Sequence, residues 1–294
     1  MKTVFASLLL LSATAVSAAP IPDAVAAMLE AASGDAAQLK VVADIAKKTN
    51  PGSAAEIDAK VAGYTKAQAE AREAKLAAQG FTQGWTGSGE IGANVSSGNT
   101  ENRGVAVGIT LGKETRSWKH QLRGLVDYQE QNGVKSRERY FAGYEGNYNI
   151  TPRLYALLPL AYEKDRFSGF NSRFAESIGL GYKLFDSPKL RLGLEAGPAF
   201  RQTKFTNGVQ DNTFAARGAG NFWWGISSGL ELTENATVFY DSFNTSVQSL
   251  TALTAKLNSK LSARASFQLN TESNPPLGRE TSDTISRLTL VYGF

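Results

Sequence analysis

Cysteine is absent from this chain of 294 residues, and histidine occurs once, as His120. The first absence excludes disulfide frameworks, thiolate nucleophiles and Cys-ligated zinc or iron–sulfur sites. The second excludes a multi-His metal centre and leaves one candidate for His-based acid–base chemistry. Long apolar runs are also missing. After the N-terminus no uninterrupted stretch approaches the roughly 18 apolar residues of a helical membrane span. Yet 42% of the residues are hydrophobic, with 28 Gly, 15 Phe, 10 Tyr and 4 Trp, while the mean hydropathy is −0.23.

The N-terminus reads as a secretory signal peptide over residues 1–18: Lys2 supplies the positive end, residues 4–11 the apolar core, and Val16, Ser17 and Ala18 the small residues of a cleavage site. The apolar stretch is too short for an anchor, because a helix rises only about 1.5 Å per residue against a hydrocarbon core of about 30 Å. No Cys follows to carry a lipid.

Residues 19–80 form an Ala-rich arm with its large apolar residues at helical spacing. Asp35 with Gln38, and Ser53 with Glu56, have the spacing of capping boxes. Val25, Met28 and Leu29 mark one helix. Leu39, Val42 and Ile45 or Ala46 mark a second, stopped at Asn50, Pro51 and Gly52. Ile57, Val61 and Tyr64 mark a third, with Gly80 as its C-cap. So few large side chains predict an arm that leans on something else, acting as a solvated spacer or as a cap or docking element.

From residue 81 to 294 the period changes from 3.6 to 2. Trp85, Gly87, Gly89, Ile91, Ala93 and Val95 alternate with Thr86, Ser88, Glu90, Gly92, Asn94 and Ser96, and the next run repeats the pattern with Val105, Val107, Ile109 and Leu111. Twelve such runs, starting near residues 83, 102, 117, 135, 153, 172, 189, 212, 236, 247, 260 and 283, fit membrane strands of about 9 to 11 residues joined by short connections. The connections at 113–116, 149–152, 186–188, 233–235 and 258–260 read as tight. Those at 165–171, 203–211 and 271–282 read as longer. Short turns opposite longer loops predict an all-β, up-and-down transmembrane barrel of about twelve strands, with both termini and the arm on the short-turn, periplasmic side of an outer membrane.

A soluble sandwich or lipocalin-like barrel would put the apolar parity inside. Charges interleaved with glycine on the polar parity oppose it, as do aromatics near strand ends: Trp85, Trp118, Tyr140, Tyr148, Tyr155, Tyr162, Tyr182, Trp223, Trp224, Tyr240 and Tyr292.

The segments SGNTEN, RERYFAGYEGNYNITPRLYA, YEKDRFSGFNSRFAESIGLGYKLFDSPKLRLGLEAGPAFRQ and SNPPLGRETSDTISRLTLVYGF resemble the salt-induced outer-membrane protein family, YdiY-like and also known as domain of unknown function DUF481. The resemblance spans nearly all of residues 84–294 and is most specific over 162–201. It implies an outer-membrane barrel and a name tied to salt, and brings no ligand, cofactor or catalytic residue.

The inward parity carries Glu90, Lys119, Arg123, Asp127, Glu145, Glu163, Arg191, Glu195, Arg201, Arg217, Glu231, Arg264 and Arg287. Both signs alternate around the wall, so the lumen is either filled by ion-paired side chains or is a narrow charged pathway for ions or small solutes. A lipid-active enzyme is the third reading, but His120 shares the lipid-facing parity with Trp118 and Leu122 and lacks a Ser two positions on. Glycines at strand period with no following helix are not phosphate loops. The barrel has 23 Lys and Arg against 19 Asp and Glu and no basic stripe, so nucleic acid is not an expected partner. Expected partners are outer-membrane lipids and lipopolysaccharide, together with the barrel-assembly machinery, to which the alternating C-terminal strand ending in Tyr292 and Phe294 would be presented.

Overall fold

The structure is a computed structural model and describes residues 19–97, 102–131, 134–275 and 278–294. The expected signal peptide lies outside the described residues. The chain divides into two compact units, one ending at Ala78 and one running from Gln79 to Phe294.

The first unit holds three helices, α1 (Asp23–Ala32), α2 (Ala36–Thr49) and α3 (Ala54–Ala78). Asp35 caps α2, its carboxylate accepting from the backbone N–H groups of Ala37 and Gln38 at 2.8 and 3.1 Å. The second expected box does different work. Ser53 donates to the carbonyl of Pro20 at 3.1 Å, and Glu56 accepts from the backbone N–H of Ile21 at 3.0 Å. This pair ties the incoming segment to the turn at 51–53 and to the first turn of α3 instead of closing a helix end. The unit also has a core of its own, with Leu29, Leu39 and Ile57 buried among Ala32, Ala43 and Ala46, and with Val25, Val42, Val61 and Tyr64 packed against them. Alanine explains why so few large residues suffice: small side chains let the helices approach closely. Met28 and Ile45 point outward. Past α3 the glycine in the left-handed region is Gly84, with φ 76°, so Gly80 is not the αL cap.

The second unit is a closed antiparallel barrel. Its strands are β1 (Trp85–Ser97), β2 (Asn102–Glu114), β3 (Trp118–Gln131), β4 (Val134–Asn149), β5 (Leu154–Asp165), β6 (Phe170–Ser177), β7 (Gly179–Asp186), β8 (Leu190–Phe205), β9 (Gln210–Gly225), β10 (Leu230–Tyr240), β11 (Thr245–Lys256), β12 (Leu261–Glu272) and β13 (Ser282–Gly293). β6 and β7 both lie between β5 and β8, so thirteen segments make twelve staves. β1 pairs with β13, and reciprocal bonds of 2.9 Å between the backbones of Gly87 and Phe294 carry the seam to the last residue. Closure leaves no open sheet edge.

The connections differ from the sequence reading in two places. Residues 233–235 are not a turn: they lie within β10, and the turn precedes them at 226–229. Glu234 misled because a charge stood on the outward parity, where it accepts from Ser249 Oγ at 2.6 Å and from the Thr251 hydroxyl. The segments 165–171 and 203–211 contain tight turns at 166–169 and 206–209, since β5, β8 and β9 extend further than the membrane requires. The reach of the far rim therefore comes largely from long hairpins.

The barrel is apolar outside. Ile91 sits between its cross-strand partners Leu290 and Val107, and Ala93 between Leu288 and Val105. Ile91, Leu288, Leu290, Val105 and Val107 are all at least half exposed to the surroundings. A contiguous band of this kind matches a lipid surface rather than water. Outward aromatics mark the short-turn rim, where Trp118 lies 5.1 Å from Tyr148 and stacks on His120. Two expected girdle residues turn inward instead. The Tyr155 hydroxyl donates to Glu195 at 3.0 Å, and Trp223 Nε1 donates to Glu231 at 3.1 Å.

Candidate functional site in the barrel lumen

Cross-strand partners share a face of the sheet, so the register assigns each side chain to the lumen or to the exterior. Asp127 faces Arg139, which faces Asp165 on the next stave; Glu195 faces Ala219 and Gly181; Arg264 faces Thr254 and Thr289. Followed around the wall, the pairing places Glu90, Lys119, Arg123, Asp127, Glu145, Glu163, Arg191, Glu195, Arg201, Arg217, Glu231, Arg264 and Arg287 on the inner face.

These residues form local groups. Toward the far rim Asp127 is fully buried and accepts from Arg287 at 2.7 Å, while Arg139 lies 3.9 Å from its other oxygen and pairs with Glu163. Arg137 stands 3.9 Å from Asp165, whose carboxylate also accepts from the backbone of Phe167 and Ser168 and so pins the adjoining turn. Arg173 reaches Glu272 at 3.3 Å. Arg201 donates to Ser246 at 2.8 Å and lies over the Phe239 ring. A second group centres on Glu195, which accepts from Tyr155, Asn221 and Arg217, each at 3.0 Å. Arg264 holds Glu90 at 2.9 Å, and Arg191 stacks 3.9 Å over Trp223. Lys119 reaches Glu114 at 3.6 Å.

Glycine makes room for this crowd at two positions in particular. A Cβ at Gly181 would overlap the Tyr155 ring, and one at Gly108 would stand 2.7 Å from the Glu90 carboxylate. The tight phosphate-loop geometry is absent at both, each lying inside a strand.

Arg137, Arg139, Asp165, Arg173 and Glu272 were not among the expected lumen charges. Parity counted from Glu145 and Arg264 reaches Arg139 and Glu272 without a break. Apolar alternation fades there, however, because Glu138 and Lys164 occupy the outward parity where the strands outrun the membrane. Bulges at Gln129/Glu130 and Glu163/Asp165 also interrupt the count.

Exposure changes along the lumen. On β3 the inward residues Lys119, Gln121 and Arg123 are exposed, whereas Leu125, Asp127 and Gln129 are buried. Along β3 the interior is thus a cup open at the short-turn rim and floored by the Arg–carboxylate lattice, while on other staves Tyr155, Leu157, Glu195 and Thr254 are buried toward the same rim. At the base of the cup is a cavity of about 150 Å³. Beyond it lies a space of about 60 Å³, which shares Arg139 and Gln248 with the first. His120 is outside the lumen, with Nδ1 2.9 Å from the Tyr144 hydroxyl. Among the described residues no cluster of His, Asp and Glu has the arrangement of a metal site.

The family described as "Protein of unknown function, DUF481" matches residues 89–294. The chain is 25% identical over 199 residues to uncharacterized protein YdiY of Escherichia coli K12, covering 67% of this chain and 78% of that one. Among solved structures it is similar to the NanC porin, with a TM-score of 0.49 and 10% identity over 69% of this chain and 98% of the porin. It is similar also to an outer membrane channel from Pseudomonas putida F1, with a TM-score of 0.45 and 8% identity over 74% and 97% of the two chains.

Proposed function

We propose, for a chain that belongs to the DUF481 family, that it is an integral outer-membrane barrel of structural or envelope-stress role whose lumen is closed by its own charged side chains. The observation that carries this reading is the trans-lumen bridge of Arg173 to Glu272, backed by the Arg287–Asp127–Arg139–Glu163 chain beside it. The buried Arg287–Asp127–Arg139–Glu163 chain is screened little by added salt, which suits a wall element that keeps its shape when ionic strength changes.

In this reading the short-turn rim, where both barrel ends lie, faces the periplasm, and the helical arm is periplasmic as well. Lipids and lipopolysaccharide cover the apolar band. Tyr292 and Phe294 on the closing strand are the residues offered to the assembly machinery. Planar-bilayer recording of the purified chain tests the closed lumen: absence of stepwise currents supports it, and stepwise single-channel currents would overturn it.

A second reading, a narrow channel for ions or small solutes, is favoured by the exposed row Lys119, Gln121 and Arg123 at the open end. Currents present in the full chain would support it. Currents appearing only after removal of residues 23–80 would make the arm a plug.

A further inference from the structure

We infer that the cavity at the base of the cup is a binding site for a small anion, an oxyanion or halide, held by Arg123. The cavity of about 150 Å³ is lined by Arg123, Arg139, Asn235, Thr237, Gln248 and Gln268 together with apolar side chains, and no carboxylate lines it. Arg139 is committed to Glu163 and Asp127. Arg123 makes no ion pair among the described residues. The charges that act on it most strongly are one carboxylate, Glu90, and three further guanidinium groups, Arg139, Arg264 and Arg287. Glu90 is itself held by Arg264 at 2.9 Å, and Arg287 by Asp127 at 2.7 Å. Pairing the charges off leaves Arg123 over.

A guanidinium carries five N–H donors and no acceptor. A cleft in which guanidinium groups crowd together focuses positive potential and draws in a counter-ion even where solvent reaches it. The surrounding side chains of Asn235 and Gln248 can turn their amide N–H groups toward an anion, and Gln268, which donates one N–H to Asn270 at 3.0 Å, keeps a second. The space holds about five water molecules at roughly 30 Å³ each, enough for chloride, sulfate or a short carboxylate that keeps part of its hydration. Access runs along β3 past Lys119 and Gln121 from the short-turn rim, so the lattice at the other end need not open. The inference rests on the closed-lumen reading only for the blind end of the site.

The test uses the purified full chain in a zwitterionic detergent, with chloride and sulfate as probes and gluconate, too large for the cavity, holding ionic strength constant. Chloride should give excess nuclear magnetic resonance line broadening that sulfate displaces. Arg123→Gln should weaken it about ten- to a hundred-fold, the equivalent of one charge-assisted contact of about 1.5–3 kcal/mol, and Arg123→Lys should restore part of it. Absence of displaceable broadening in the unaltered chain overturns the proposal without recourse to any variant. Equal broadening in Arg123→Gln overturns it too. If that variant does not fold, Gln268→Ala supplies the comparison, and unchanged affinity there counts against the site. Stepwise currents together with displaceable broadening would support the anion site while overturning the closed lumen, so the two failures are distinguishable.

Discussion

Arg173 on β6 and Glu272 on β12 meet at 3.3 Å although four staves separate them one way around the wall and six the other. The pair spans the lumen, and its side chains are largely shielded from solvent. Replacing both with alanine removes the span while leaving no unmatched charge behind. The double variant should pass small-ion current in planar bilayers where the unaltered chain is silent. Equal silence from both would show that this bridge is not the constriction.

Asp127 is the acceptor shared by Arg287 and Arg139, and it is fully buried. Asp127→Asn should lower stability by about 3–5 kcal/mol, because Arg287 then lacks a counter-charge in a dry site and Arg139 is left with Glu163 alone. Adding Arg287→Met should recover part of that loss. Urea titration of the folded band on unheated gels reads both effects.

The architecture was legible because a membrane barrel writes its two faces into alternate residues. Val105, Val107 and Ile109 against Gly104, Ala106 and Gly108 need no alignment to interpret. Legibility failed where that contrast is chemically weak. Glu234 broke the outward parity, although two hydroxyls from the neighbouring strand satisfy it, and β10 was therefore started too late. Tyr155 and Trp223 look like interfacial residues by type, but their polar atoms are spent on Glu195 and Glu231. Which of the inward charges pair across the lumen is decided by barrel curvature and stagger, and no local pattern encodes those.

Gly181 and Gly89 should respond oppositely to alanine. At Gly181 the new methyl collides with the Tyr155 ring, and overpacking of this kind costs about 1–3 kcal/mol. At Gly89 nothing lies within 4 Å, so the variant should be neutral or gain about 0.5–1 kcal/mol from lower backbone entropy. Unfolding midpoints of the two variants measured side by side check the difference.

Ile91 is 60% exposed, an exposure at which substitution in a water-soluble protein would matter little. If its surroundings are lipid, Ile91→Arg should cost about 2–4 kcal/mol near mid-bilayer. Folding equilibria in phospholipid vesicles provide the measurement. A change within about 0.5 kcal/mol, the usual range for a water-facing position, would argue against a lipid-facing wall.

Lys113 has a mechanical consequence. Its ammonium donates to the carbonyls of Gly80 and Phe81 at 2.7 and 2.8 Å and lies near the Phe81 and Trp85 rings, so that only 7% of the residue is exposed. Tension applied to the chain ahead of residue 80 is therefore shared with β2 before it reaches the first hydrogen bonds of β1. The seam with β13 therefore does not meet such a load alone: Lys113 must let go of both carbonyls before β1 carries it unaided.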